Sequence, residues 1–170
     1  MTAVATHIDP ATRVDLLANQ LAIAVPDDRP RAIASARGLL DPSIHRIALG
    51  DPAAVPAGVY AKQYLQGLGI WTDLAMKIVP SGSVRLALAA VESGAADAAI
   101  VYHTDLATAA HVREAFVVPA AQGPHIVYPA AVVTHSRQPQ AAQRFLLFLT
   151  GPQATPIFRK FGFTPLATMP

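Results

Sequence analysis

The sequence predicts an α/β domain built on a mostly parallel sheet flanked by helices, and three observations predict it. Short apolar runs of strand length alternate with stretches of helical spacing along most of the chain. Most of the runs end on Gly, Pro or small polar residues, which suits turns between buried strands and surface helices. Hydrophobic residues make up 52% of the 170 residues and charged ones only 14%, against roughly 25% charged in an ordinary soluble domain. Such a chain can bury a real core, and disorder is excluded.

The elements follow in order. Asp9-Pro10 opens a short helical pattern over Ala11 to Leu17, with Asp9 as N-cap and Pro10 at the first helical position. Leu21 to Val25 is an apolar run stopped by Pro26, hence a buried strand. A loop from Pro26 to Pro30 leads to helical spacing from Arg31 to Leu40. Arg46 to Gly50 is the next strand, ended by Gly50-Asp51-Pro52, and Tyr60, Tyr64, Leu65 and Leu68 then mark a helix from Ala57 to Gly69. Lys77 to Val79 is a strand before Pro80-Ser81-Gly82-Ser83; Val84, Leu88 and Val91 repeat at helical spacing until Gly94. Ala98 to Tyr102 is a strand, capped at Thr104 before a short helix. Ala115 to Val118 and Ile126 to Val133 are strands, and Pro129 consigns the latter to an edge, a bulge or a crossing segment. Gln138 to Leu149 is amphipathic, Gly151-Pro152 breaks it, and a last helix carries Ile157, Phe158 and Phe161.

Composition excludes several chemistries. With no Cys there is no disulfide scaffold, thiolate metal site or cysteine nucleophile. A net charge of +2 with scattered Lys and Arg lacks the footprint of a nucleic-acid binder, despite a pI of 9.2. No apolar run reaches the roughly 18 residues that span a bilayer, and residues Met1 to Pro10 show no secretory leader. His7, His45, His103, His111, His125 and His135 include no pair at zinc-helix spacing, and HExxH, GxSxG, GxGxxG and the P-loop are absent. His103 and Asp105 flank Thr104 as the one local His/Asp pair, which a solvated loop also explains. A hydrolase using Ser83 and His103 is set aside, and the chain is expected not to be an enzyme.

What recurs is strand, small-residue loop, helix: at Gly50 to Ala57-Gly58, at Pro80 to Ser83-Val84 and at Tyr102 to Thr104. In an open α/β sheet the carboxyl ends of the strands gather where ligands bind. Helix N-termini there offer unpaired N–H groups and the positive end of the dipole, so they suit an anion. Tyr102 could add a phenolic donor. The same residues also read as a plain helix start at Ala57-Gly58, an ordinary N-cap at Ser83 and a half-buried aromatic at Tyr102.

Gly50-Asp51-Pro52-Ala53-Ala54-Val55-Pro56-Ala57-Gly58-Val59-Tyr60-Ala61-Lys62 resembles the G-D-P-x-x-V-P-A-G-x-Y-A-K signature of periplasmic molybdate-binding proteins, the substrate-binding components of molybdate ABC transporters. Similar matches follow at Leu68 to Trp71, Val84-Arg85, Ala87-Leu88, Val91-Glu92, Ile100-Val101-Tyr102, Tyr128-Pro129-Ala130, Gly151 to Ala154 and Phe161-Gly162-Phe163. The resemblance implies a type 2 periplasmic-binding-protein fold, a two-lobed clamshell holding an oxyanion between lobes. It implies oxyanion-binding roles for the amides of Ala57 and Val84 and the hydroxyl of Tyr102, with hydrogen bonds rather than direct metal coordination and no cofactor. Molybdate or tungstate is the implied ligand, a membrane permease the implied partner, and the periplasm the implied location.

The family's A-A-S-L-type and S-S-T-type segments have no counterpart here. The expected organisation is therefore a first-lobe remnant at 1–20, a complete second α/β lobe at 21–133, and C-terminal helices at 134–170 that return to a largely missing first lobe. Anion binding is expected to be impaired, and Phe145, Phe148, Ile157, Phe158 and Phe161 to lie partly uncovered and favour self-association. A ligand-sensing effector domain of a transcription regulator, which shares the fold, is the alternative.

Overall fold

A computed structural model describes residues 2–29 and 32–166. Pro30 and Arg31, where the expected loop and helix meet, lie outside the described residues, as do Met1 and residues 167–170. The chain divides into two compact units: Met1–Asn19 with His125–Pro170, and Gln20–Pro124.

The smaller unit begins with a 3-10 helix, Thr2–His7, and a second 3-10 turn, Pro10–Thr12. Asp9 caps that turn through Ala11 N–H, as expected, but no helix reaches Leu17. The chain instead extends as β1, Val14–Asn19. The apolar run is too short for periodicity to separate strand from helix, and pairing decides. The other strands of its sheet come from the far end of the sequence.

The larger unit starts with β2, Leu21–Pro26, buried along its whole length. Of the helix expected from Arg31 to Leu40, the described residues form a 3-10 helix at Ala36–Leu40, burying Ala36 and Leu39. Then come β3, Ile47–Gly50; α1, Pro56–Gly67; α2, Trp71–Leu74; β4, Ile78–Ser81; α3, Val84–Glu92; β5, Ala98–Tyr102; α4, His103–Leu106; and β6, Val112–Val117. Gly69 and Gly94 follow α1 and α3 with positive φ, the left-handed stops expected there.

Strand order is β4-β3-β5-β2-β6. The sheet is mixed rather than mostly parallel. β4 and β5 run parallel to β3, whereas β2 runs antiparallel to both β5 and β6. Hydrophobic patterning carries no strand direction, so this reversal could not be read from the sequence. β2, β3 and the first four residues of β5 are buried throughout, as central strands covered on both faces must be. Ala24, Ala48, Ala99 and Val101 pack with Ala87, Leu88 and Val91 of α3 on one face. Strand alternation sends Ile23, Ile47, Leu49 and Ile100, all buried, to the other.

The smaller unit is completed by β7, Ile126–Ala130; α5, Pro139–Thr150; α6, Thr155–Lys160; and β8, Thr164–Pro165. Its antiparallel sheet has the order β7-β1-β8. Pro129 does sit on an edge strand, opposite Asp15, beside a register shift between Asp15 and Leu17. The strand ends at Ala130 rather than Val133, which makes only an isolated bridge to Ile8. Residues 126–130 pair with β1 in the smaller unit.

Candidate functional site

β4, β3 and β5 lie side by side and point the same way, in register from Gly50 opposite Ser81 and from Leu49 opposite Ile100. Their carboxyl ends, and the junctions into α3, α1 and α4, therefore share one edge of the sheet. Ala57, Val84 and Tyr102 are all there. Ala57 is the second residue of α1, Val84 the first of α3, and Tyr102 the last of β5.

The β3–α1 junction is organised by Asp51. Its carboxylate accepts Ala53 N–H at 2.9 Å, and its carbonyl accepts Ala54 and Val55 N–H at 3.1 and 2.8 Å. Its own N–H donates to Ser81 O at 2.8 Å, which ties this loop to the end of β4. Pro56 takes the first helical position, where its missing N–H costs nothing. Gly58 packs onto the Gly50 carbonyl, where a β-carbon would collide with the oxygen. The Gly-Asp-Pro…Pro-Ala-Gly spacing is thus a steric and hydrogen-bonding recipe for presenting the start of α1.

At the next junction Ser83 Oγ caps α3 by accepting Leu86 N–H at 3.2 Å. That leaves Val84 N–H ahead of the intrahelical ladder. Among the described residues no acceptor receives the N–H of Ala57 or of Val84. Ala57 is fully buried while Val84 and Tyr102 are half-buried, so the last two are the ones that solvent reaches.

The third junction differs from expectation. The group that closes the start of α4 is Asp105 rather than Thr104: its carboxylate accepts Tyr102 N–H at 3.0 Å. An acid three residues past a strand end was the available signal. Burial raises the Asp105 pKa above its ordinary value; the Tyr102 hydrogen bond and the charge of Arg85 lower it, but less. His103 Nε2 lies 3.1 Å from Glu114 on β6, so His103 pairs across to a strand rather than with Asp105. Ser83 is a helix cap, and no hydrogen bond joins it to His103 among the described residues. No cluster of three or more His, Asp or Glu able to hold a metal occurs among them either.

The family model described as bacterial extracellular solute-binding protein matches residues 2–164. The chain belongs to that family. Among individual relatives, this solute-binding chain is 38% identical over 165 residues to the molybdate-binding protein ModA of Escherichia coli (strain K12), covering 92% of the chain and 62% of that protein. It therefore spans less than two thirds of that relative's length. A solved substrate-binding domain, assigned to a molybdenum ABC transporter of Clostridium difficile, superposes with a TM-score of 0.87 at 28% identity, over 98% of this chain and 72% of that one. The periplasmic molybdate-binding protein of Azotobacter vinelandii shares the fold, with a TM-score of 0.75 at 23% identity over 94% of this chain and 70% of that one. None of these relatives is described as a transcription regulator or an enzyme.

Proposed function

We propose that this chain binds a tetrahedral oxyanion of the molybdate and tungstate class as the periplasmic substrate-binding component of an ABC importer, and hands it to a membrane permease. The observation that carries this reading is the alignment of three strand–helix junctions on one sheet edge, with no acceptor for the Ala57 and Val84 amides among the described residues. The name of the Escherichia coli relative supplies the anion, and the Tyr102 hydroxyl is the third donor in this reading.

Neutral donors suit a cargo that must be released. Several amides and a phenol can satisfy a dianion's lone pairs, and helix N-termini add a favourable field. A buried cation would hold it more tightly and oppose transfer. Selection among oxyanions rests, in this reading, on the spacing of those donors.

Calorimetric titration with molybdate, tungstate and sulfate tests the reading. Molybdate and tungstate should bind and sulfate should not. Replacing Tyr102 by Phe removes a hydrogen bond to a charged group, worth about 1.5–3 kcal/mol, and should weaken binding accordingly. Sulfate binding as tight as molybdate would overturn the ligand assignment. Unchanged affinity in Tyr102→Phe would remove that side chain from the site.

The reading extends to self-association through the C-terminal helices. Phe145, Phe148, Ile157 and Phe161 are 61%, 46%, 51% and 49% exposed, and Phe145 and Phe148 stack with ring centroids 6.4 Å apart. Phe158, expected to be partly uncovered with them, is half-buried.

A further inference from the structure

We propose that Asp105 is the positioning residue of the anion site, fixing the main chain of Tyr102 at the end of β5. The inference rests on the oxyanion-binding reading above. Tyr102 needs such a device because its strand neighbour leaves early. The β3–β5 ladder runs from Ile47 opposite Ala98 to Leu49 opposite Ile100, and β3 turns away after Gly50. Beyond that point Asp105 supplies the acceptor for Tyr102 N–H, at 3.0 Å.

The residues on either side are fixed as well. His103 N–H donates to Gln20 O at 2.8 Å, and Leu21 pairs opposite Tyr102 in β2. With β2 on one side and the Asp105 carboxylate on the other, Tyr102 is held in one backbone position at the rim of the sheet. The Cα–Cβ bond that carries its phenol therefore starts from a set place at the rim.

The positive charge of Arg85, the residue after Val84, is felt at the same carboxylate. Arg85 is exposed. Asp105 thus holds the Tyr102 main chain at the third junction. Discrimination by size requires donors at fixed separation, because loosely held donors can close on a smaller tetrahedron. Asp105 touches no anion in this scheme and acts only through Tyr102.

Two variants separate its hydrogen bond from its charge. Asp105→Asn keeps an oxygen acceptor for Tyr102 N–H, whereas Asp105→Ala removes both. Two readouts apply: hydrogen exchange of the Tyr102 amide in the ligand-free protein, and the ratio of molybdate to sulfate affinity. Asp105→Ala is expected to speed Tyr102 exchange and to lower the affinity ratio by about tenfold, the scale of one hydrogen bond. Asp105→Asn should restore both towards the parent values. Unchanged Tyr102 exchange in Asp105→Ala overturns the proposal while leaving the oxyanion reading intact. So does a uniform loss of affinity for both anions with the ratio preserved, since that is what simple destabilisation would give. Faster exchange in a chain whose parent binds no oxyanion overturns the oxyanion reading and takes the anion-positioning role with it.

Discussion

Asp105 carries a cost at neutral pH that a neutral isostere would not. Its pKa is raised in the folded protein, chiefly by burial, so the native state favours the protonated form more than the unfolded chain does. The sign follows from linkage: the stability it confers is fully present below its ordinary value of 3.8 and is lost as pH rises through the elevated folded value. Asp105→Asn, which keeps the Tyr102 acceptor, should therefore gain on the parent as pH is raised from below that range to neutrality. Urea midpoints for both proteins at acidic and neutral pH check this; a gap that narrows with rising pH would contradict it. Ser83 illustrates a residue whose structural duty is plain: its hydroxyl oxygen is the cap of α3, accepting Leu86 N–H.

At the scale of elements, the β3–α1 junction depends on a close approach that only glycine permits. A methyl group at Gly58 would meet the Gly50 carbonyl oxygen and lie 3.0 Å from the Asp51 carbonyl carbon, both of them backbone atoms that cannot rotate aside. Gly58→Ala should cost at least the 1–3 kcal/mol typical of overpacking, about the upper end given the rigid neighbours. A denaturant midpoint indistinguishable from the parent would contradict the packing described. This junction was legible in the sequence because Gly, Asp and Pro act through local chemistry. So were the buried strand at Leu21 to Val25 and the helix after Ser83, each bounded by its own breakers and caps. The segment Ala11 to Leu17 was not. Its state is set by β7 and β8, which lie more than a hundred residues away in the chain. The direction of β2 was hidden for the same reason, since pairing geometry leaves no trace in an apolar run. The three strand–helix junctions could be marked from strand ends, and the family resemblance singled out Ala57, Val84 and Tyr102 within them. Asp105 left only the signal of an acid three residues past a strand end, and the structure shows which amide its carboxylate meets.

For the molecule as a whole, charge and apolar surface are unevenly spread. No Asp or Glu occurs after Glu114, while Arg137, Arg144, Arg159 and Lys160 do, in the stretch that carries the exposed phenylalanines. Like charges on facing copies would oppose the self-association proposed for these helices, and salt screens them. Light scattering should show a mean mass that rises with protein concentration, and more steeply at high salt. A constant monomer mass under both conditions would remove the proposal. The low overall charge of 14%, at first only a sign of a large core, also suits an anion site made from backbone amides rather than from cations. The central claim is that those amides belong to Ala57 and Val84. Nitrogen-15 NMR titration of the whole chain with molybdate tests it most directly. The account predicts saturable shifts concentrated at the Ala57 and Val84 amides, with sulfate at equal concentration leaving both in place. Saturable shifts elsewhere with these two unmoved, or equal shifts with sulfate, would contradict it.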